Sequence, residues 1–215
     1  IARNAGYRSA AEAADCRAAL EQLLDRLRQG MFAPKNRGKA RTVTEEGVAL
    51  SQSLLQHGFI SQEEIERYPG VTHATGIHPV IECSQNIPCN PCQDACHFGC
   101  IKVGENITRL PAIDMEKQCT GCGLCVASCS GQAIFLVDET YAEGFASVTF
   151  PYEFLPMPEI GDKGTALDRQ GKPVCEAEIV GVKKSPVMDK TAVVTMKVPL
   201  EYVHTARFYR PTVCE

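Results

Sequence analysis

The feature that most constrains the fold of this chain is a concentration of cysteines near its middle. Nine of the twelve cysteines lie between residues 83 and 129, where residues 88–100 read PCNPCQDACHFGC and residues 119–129 read CTGCGLCVASC. The other three, Cys16, Cys175 and Cys214, lie alone. Disulfide frameworks are typical of small exported domains, whereas short, regular spacings between thiols are typical of metal ligands. The pattern therefore predicts that this part of the chain folds around metal.

The second group of cysteines has the clearer spacing. Its members follow the order Cys119-x2-Cys122-x2-Cys125-x3-Cys129. Bacterial ferredoxins use this run for [4Fe–4S] clusters, in which the first three thiolates bind one cluster and the fourth binds the neighbouring one. Gly121 and Gly123 suit this role, because a backbone without Cβ can approach the cluster sulfurs and direct N–H groups at them.

The first group repeats this arrangement with one insertion. Aligning residues 89–101 with residues 122–134 pairs Cys89 with Cys122, Cys92 with Cys125, and Cys96 with Cys129. Cys83 takes the place of Cys119, but five residues separate it from the next cysteine where the second group has two. Cys100 falls opposite Ala133, and it is therefore predicted to be the spare thiol.

The rule that the fourth cysteine of each run binds the other cluster assigns two ligand sets. The first [4Fe–4S] cluster is predicted to bind Cys83, Cys89, Cys92 and Cys129. The second [4Fe–4S] cluster is predicted to bind Cys119, Cys122, Cys125 and Cys96. The apolar segments PVIE, LPAID and AIFLV frame the two groups as short strands. We therefore expect two similar halves packed around the metal.

Three other interpretations of these cysteines stay open at this point. A four-thiolate zinc site could use one Cys-x2-Cys pair from each group, although it leaves the remaining cysteines unexplained. The second interpretation is a [2Fe–2S] centre, because the spacing Cys83-x5-Cys89-x2-Cys92 is only one residue longer than that of plant-type [2Fe–2S] centres. In the third interpretation Cys100 is a ligand and Cys83 is the bystander, because the insertion before Cys89 weakens the alignment there.

The whole sequence predicts an α+β protein in three parts. Residues 1–75 are predicted to be a helical docking region. Residues 76–140 are predicted to form a ferredoxin-like domain with two [4Fe–4S] clusters. Residues 145–215 contain short β-rich runs separated by Gly, Asp and Pro, which predict a small antiparallel β-barrel or sandwich.

Three helix starts are predicted in the first part. Capping boxes, in which Ser or Thr is followed three residues later by Glu, begin at Ser9, Thr42 and Ser61. The apolar stripe of these helices is interpreted as core or interface. In the third part, a last helix is predicted after Pro199, over LEYVHTARFY.

The cysteine region resembles the bacterial ferredoxin-type family with two [4Fe–4S] clusters, on the residues CTGCGLCVASC and IECSQNIPCNPCQDAC. More narrowly, the stretch from Val80 through VTFPYEFLPMPEIGDKG resembles the 4Fe–4S subunits of bacterial amine, proline or hydroxyproline dehydrogenase-like complexes. The resemblance implies a hetero-oligomer with an FAD-dependent oxidoreductase subunit and a small [2Fe–2S] subunit. It also implies that the FAD is held by the partner subunit and not by this chain.

The sequence departs from the ferredoxin pattern at His97 and Ser130, where ferredoxins commonly have Pro after the last cysteine of each run. Proline there shapes the backbone but supplies no ligand. His97 is interpreted as a tolerated replacement, because a full set of thiolates needs no imidazole ligand. A hydrogen bond from His97 to cluster sulfur is the alternative.

No motif for catalysis accompanies the cysteines. The sequence lacks a Gly-x-Gly-x-x-Gly turn for a dinucleotide, a nucleophile elbow and a zinc-protease helix. The expected function is therefore that of an electron-transfer subunit, which relays single electrons between the FAD of a partner and another carrier. The alternatives are a structural scaffold with redox-silent clusters and a freestanding ferredoxin.

Charge and hydropathy exclude two further classes of partner. A net charge of −4 and a pI near 5.8 argue against binding to nucleic acid, which requires clustered Lys and Arg. No apolar run approaches the roughly 18 residues of a membrane span. The first residues lack the hydrophobic core and cleavage site of a signal peptide. The chain is therefore expected to be cytoplasmic.

Overall fold

The computed structural model describes residues 52–212 together with residues 18, 21, 22 and 25. The chain divides into two compact units, Ile1–Thr42 and Val43–Glu215. The four described residues of the first unit are helical and exposed, as expected for the polar face of the helix predicted after Ser9. The rest of that helix and the predicted capping box at Thr42 lie outside the described residues.

The helices described in the second unit are short. They are α1 (Gln52–His57), α2 (Gln62–Ile65), α3 (Pro91–Ala95) and α4 (Leu124–Ser128), with 3-10 turns at Pro186–Met188 and Leu200–Tyr202. The helix start predicted at Ser61 is confirmed, because the Glu64 amide donates to Ser61 Oγ at 3.3 Å. The reciprocal half of the capping box is not formed, since the Ser61 amide donates to Ser53 Oγ at 3.0 Å. None of the described helices has both the length and the apolar character needed to cross a lipid bilayer.

Nine strands are described, and seven of them form one sheet. The strands are β1 (His78–Ile81), β2 (Ile101–Lys102), β3 (Ala112–Ile113), β4 (Ile134–Ala142), β5 (Phe145–Tyr152), β6 (Lys163–Leu167), β7 (Pro173–Lys183), β8 (Ala192–Pro199) and β9 (Phe208–Pro211). The sheet has the order β1-β4-β5-β8-β7-β6-β9, and every pair in it is antiparallel. Strands β2 and β3 form a separate antiparallel ribbon.

The predicted fold class is wrong. It placed a helical region, a ferredoxin-like domain and a small β-barrel or sandwich in succession, whereas a single seven-stranded antiparallel sheet dominates the described residues. Within the described residues, the helices of the second unit extend over only four to six residues. The reason is a tight hairpin at residues 143–144, where Gly144 has a φ of 75°. It pairs β4 directly with β5, so strands of the cysteine region continue into the C-terminal sheet.

Strand β4 is buried on both faces over its first half. Phe135 and Val137 belong to the main core of the sheet. Ile134 and Leu136 belong to a second core, which also contains Cys125. Alternate residues of a strand point to opposite sides, so a strand covered on both sides must be apolar throughout. The cysteine region therefore packs against one face of β4 while the rest of the sheet packs against the other.

A buried ion network fastens the end of β1 to the C-terminal part of the chain. Glu82 Oε1 accepts hydrogen bonds from Arg207 Nε at 2.6 Å and from Arg169 Nη2 at 2.5 Å. The side chains of Glu82 and Arg207 are only 8% and 1% exposed. Burial raises the pKa of Glu82, but the two guanidinium groups outweigh it and hold the pKa below its usual value. The carboxylate therefore stays ionised inside the fold.

Replacing Glu82 with Gln is expected to lower the free energy of unfolding by about 3–5 kcal/mol, because a buried guanidinium loses its counter-charge. The matched control is Glu178→Gln, which removes a carboxylate paired with Lys197 at the surface and is expected to change the stability little. Urea unfolding followed by circular dichroism measures both variants. Equal stabilities of the two variants would contradict the central role of the buried network.

Candidate functional site

The cysteine region contains two copies of the same local structure. Helices α3 and α4 have five residues each, and the second residue is Cys92 in α3 and Cys125 in α4. Each helix ends on a further cysteine with similar backbone angles: Cys96 has φ −87° and ψ 87°, and Cys129 has φ −80° and ψ 103°. The offset between the copies is the one given by aligning residues 89–101 with residues 122–134.

The backbone hydrogen bonds after each helix repeat with the same offset. The Cys100 amide donates to Cys96 Sγ at 3.3 Å, and the Ala133 amide donates to Cys129 Sγ at 3.4 Å. Just before these donors, Gly99 and Gln132 have positive φ values of 69° and 50°. This left-handed residue turns the chain so that the next amide points back at the sulfur. The last cysteine of each run, Cys96 or Cys129, thus accepts an equivalent hydrogen bond from the backbone.

Gly121 and Gly123 position the second run. Gly121 has φ 69°, its amide donates to Cys119 Sγ at 3.4 Å, and a Cβ at this position would lie 2.6 Å from Ile77 Cδ1. Gly123 has φ 83° and begins helix α4. Both conformations favour glycine. The prediction that these glycines let the backbone approach sulfur agrees with the geometry at Cys119.

The thiols of Cys83, Cys89, Cys92 and Cys129 form one group of electrostatic neighbours. Burial raises the pKa of Cys92 to about 11, and the thiols of Cys129, Cys83 and Cys89 add to the increase. Burial also raises the pKa of Cys83, with further contributions from Cys129 and Cys89. Cys129 thus lies beside the first run although it ends the second.

The thiols of Cys119, Cys122, Cys125 and Cys96 form the other group. Burial raises the pKa of Cys125, and the thiols of Cys119, Cys122 and Cys96 raise it further. A small cavity is lined by all four of these cysteines and by Cys100, together with Gly123 and Leu136 among others. The two groups have the same members as the two predicted ligand sets, while ligation itself stays a prediction.

Cys100 lies beside the second group and not in the first. It is 2% exposed, and its pKa is raised to about 11 by burial and by the neighbouring thiols of Cys96 and Cys119. Cys83, by contrast, has Cys89, Cys92 and Cys129 as its neighbours. This arrangement favours Cys83 as the ligand and Cys100 as the spare thiol.

The spacing of the sulfurs also bears on the zinc interpretation. Tetrahedral zinc with Zn–S bonds of about 2.3 Å places its thiolates about 3.8 Å apart. Among the described residues, only His73, Glu139 and His204 form a group of three or more potential ligand atoms that all lie within 4.8 Å of one another. None of the described cysteines belongs to such a group, and both the zinc and the cluster interpretations of the cysteines stay predictions.

The surroundings of the thiols are apolar, and the ammonium group of Lys183 lies next to the second group. Cys92 and Cys125 are buried in the second core. Four further cysteines pack against this core, namely Cys83, Cys96, Cys119 and Cys129. Lys183 Nζ donates to the Gly121 carbonyl at 2.8 Å, next to the second group. The sequence carries no signal for this lysine, because it lies at the end of β7, far from the cysteines along the chain. His97 is exposed.

No protein-family description, curated protein or solved structure matches this chain. The resemblance to ferredoxin-type proteins is thus carried by the cysteine runs themselves.

Replacing Cys83 with Ser is expected to remove one cluster, and with it about four irons per chain, because the first group loses a ligand. The matched control is Cys100→Ser, which is expected to keep the full iron content, since Cys100 is outside both sets. Iron and acid-labile sulfide, measured per chain after anaerobic purification, decide between them. Loss of iron in the Cys100 variant with retention in the Cys83 variant would reverse the assignment.

Proposed function

We propose that this chain is the iron–sulfur subunit of a multisubunit flavin-dependent oxidoreductase for an amine or amino acid, and that it relays single electrons between the FAD of a partner and another carrier. The observation that carries the proposal is the gathering of the thiols into two groups, four around the first run and four around the second, with Cys100 beside the second group. The likeness of both cysteine runs to ferredoxin-type sequences supports it.

The two groups of thiols are the proposed ligand sets. Cys83, Cys89, Cys92 and Cys129 would hold one [4Fe–4S] cluster, and Cys119, Cys122, Cys125 and Cys96 would hold the other. When bound, such clusters supply one-electron redox chemistry at a potential set by charge, hydrogen bonds to sulfur and solvent exposure.

The chain supplies each of these influences from its own residues. The amides of Cys100, Gly121 and Ala133 donate to ligand sulfurs at 3.3–3.4 Å and so stabilise negative charge on them. The ammonium group of Lys183, bound to the Gly121 carbonyl, adds positive charge near the second set. The apolar second core limits the access of water to both sets.

The sets are close because each short helix joins a thiol of one set to a thiol of the other. Cys92 of the first set lies on α3, and Cys96 of the second set caps the end of that helix four residues later, which corresponds to about 6 Å of helix. Cys125 on α4 and Cys129 at its C-cap stand in the same relation. This reciprocal arrangement supports transfer between the two sets over a short distance.

A hetero-oligomer with a flavoprotein, and with a small [2Fe–2S] subunit, is part of the proposal. The described chain exposes large apolar side chains on the segment after β5, where Phe154, Leu155 and Ile160 are 71%, 87% and 69% exposed. Exposed apolar groups that lie together mark interaction sites. This segment belongs to the stretch VTFPYEFLPMPEIGDKG, on which the resemblance to dehydrogenase subunits rests.

The first test is composition. The chain purified without oxygen is expected to contain about eight irons and eight sulfides, and its reduced form is expected to give an EPR spectrum broadened by two interacting clusters. Cys175→Ser is the control, because Cys175 lies outside both sets and its replacement leaves them complete. About four irons per chain, or the signal of one isolated cluster, would contradict the two-cluster form.

The second test is electron transfer in the assembled complex. Substrate-reduced flavin in the copurified partner is expected to bleach the visible absorption of the clusters in stopped-flow experiments. A complex containing the Cys83→Ser variant, which lacks one cluster, is expected to accept correspondingly fewer electrons. Clusters that are present but never reduced by the flavin would identify the chain as a structural scaffold instead.

A further inference from the structure

Two histidines and a glutamate converge at a point where three separate segments of the chain meet. His73 lies in the connection between α2 and β1, Glu139 lies on β4, and His204 follows the 3-10 turn Leu200–Tyr202. One potential ligand atom from each residue lies within 4.8 Å of the others. The electron-transfer role proposed above uses none of these residues.

The distances within this group are close to those of a metal site. His204 Nε2 lies 3.2 Å from Glu139 Oε1, and His73 Nδ1 lies 3.9 Å from the same oxygen. Zinc bonds of about 2.0–2.1 Å to nitrogen and oxygen place tetrahedral ligand atoms about 3.4 Å apart. The two imidazole rings lie edge to face, with centroids 4.8 Å apart.

A fourth residue orients one of the histidines. His73 Nε2 lies 3.1 Å from Glu66 Oε2, at the end of α2. A carboxylate that accepts a hydrogen bond from one ring nitrogen directs the lone pair of the other toward a metal. Here it leaves Nδ1 of His73 facing Glu139.

We propose that His73, Glu139 and His204 bind a divalent transition-metal ion, Zn²⁺ in the first instance, with Glu66 as the carboxylate that positions His73. Two imidazoles and one carboxylate are a ligand set that zinc accepts, with water in the remaining position. The side chains of His73, Glu139 and His204 are 54%, 34% and 32% exposed, so an ion can enter and the fourth position is open to water. Burial lowers the pKa of His204, although the Glu139 carboxylate opposes this, and the neutral ring is the form that binds metal.

The ion would act as a cross-link between distant segments. It would join the α2–β1 connection, β4 and the turn before β9. The His204 carbonyl also accepts a hydrogen bond from Arg169 Nη2 at 3.1 Å, and Arg169 pairs with Glu82, beside Cys83. Metal binding is thus expected to stabilise the fold at the side where the first group of thiols meets the sheet.

The test must separate this site from the cysteines, which also bind metal. Co²⁺ bound through nitrogen and oxygen gives weak visible d–d bands, whereas Co²⁺ bound to thiolates adds an intense near-ultraviolet charge-transfer band. Titration of the full chain, purified anaerobically, is therefore expected to show one equivalent of Co²⁺ with weak visible bands and without the thiolate band. Zn²⁺ is expected to displace the bound cobalt. Zn²⁺ added to chain that a chelator has freed of metal is also expected to raise the Tm.

The variants carry the assignment. His204→Ala is expected to abolish the weak cobalt bands and the zinc-dependent rise in Tm. Glu66→Gln is expected to keep the bands but to weaken zinc binding about 10–100-fold, because it loosens the orientation of His73. His57→Ala, which removes an exposed histidine of α1, is the control and is expected to bind as the unmodified chain does. A cooperative melting transition of each variant in the presence of chelator shows that the variant folds without metal. Where a variant does not fold, His73→Gln is tested in its place.

Two outcomes would overturn the proposal. One is cobalt and zinc binding that is the same in the His204→Ala, Glu66→Gln and unmodified chains. The other is bound cobalt that shows only the thiolate band in the unmodified chain. Neither outcome bears on the iron–sulfur proposal, because iron and sulfide are counted separately.

Discussion

Burial of β4 on both faces is the constraint on which the rest of the structure depends. Ile134 and Leu136 give the cysteine region an apolar wall, while Phe135 and Val137 complete the core of the sheet. A strand in this position cannot shift its register by one residue without exchanging the two cores. Its pairing with β1 on one edge and β5 on the other therefore fixes the cysteine region relative to the whole sheet.

Local patterns in the sequence predicted most C-terminal strands but not how they assemble. Strands β5, β7 and β8 lie where apolar and β-branched residues are concentrated. Their assembly into one sheet with β4 depends on the hairpin at residues 143–144. From the sequence alone, the same two residues are equally consistent with a domain boundary. The predicted helix after Pro199 is wrong beyond its first turn. There the Arg207 amide donates to the Leu167 carbonyl at 2.8 Å and Tyr209 pairs with Ala166, so partners distant in sequence override the local pattern.

For the site, cysteine spacing predicted the repeated local structure of the two runs, because that information is local. Each run fixes the position of its own cysteines through one helix and one left-handed turn, as Gly99 and Gln132 illustrate. The surroundings depend on tertiary contacts instead. Lys183 reaches the second set from the end of a distant strand, and His73 and His204 meet only because the sheet has formed. No spacing within the chain could have indicated either contact.

Because of the insertion after Cys83, the sequence alone did not fix where this cysteine lies relative to the other thiols. The widened loop is held by hydrogen bonds to the segment before β3: the Cys89 amide donates to the Ile107 carbonyl, and Asn86 Nδ2 donates to the Thr108 carbonyl, both at 3.0 Å. At its other end, the Glu82 amide donates to the Ala133 carbonyl at 2.8 Å, while the Ala133 amide donates to Cys129 Sγ. Ala133 thus links the residue before Cys83, through its carbonyl, to the sulfur of Cys129, through its amide. Arg207 and Arg169, which hold the Glu82 side chain, reinforce this link, so Cys83 stays beside Cys129 despite the longer loop.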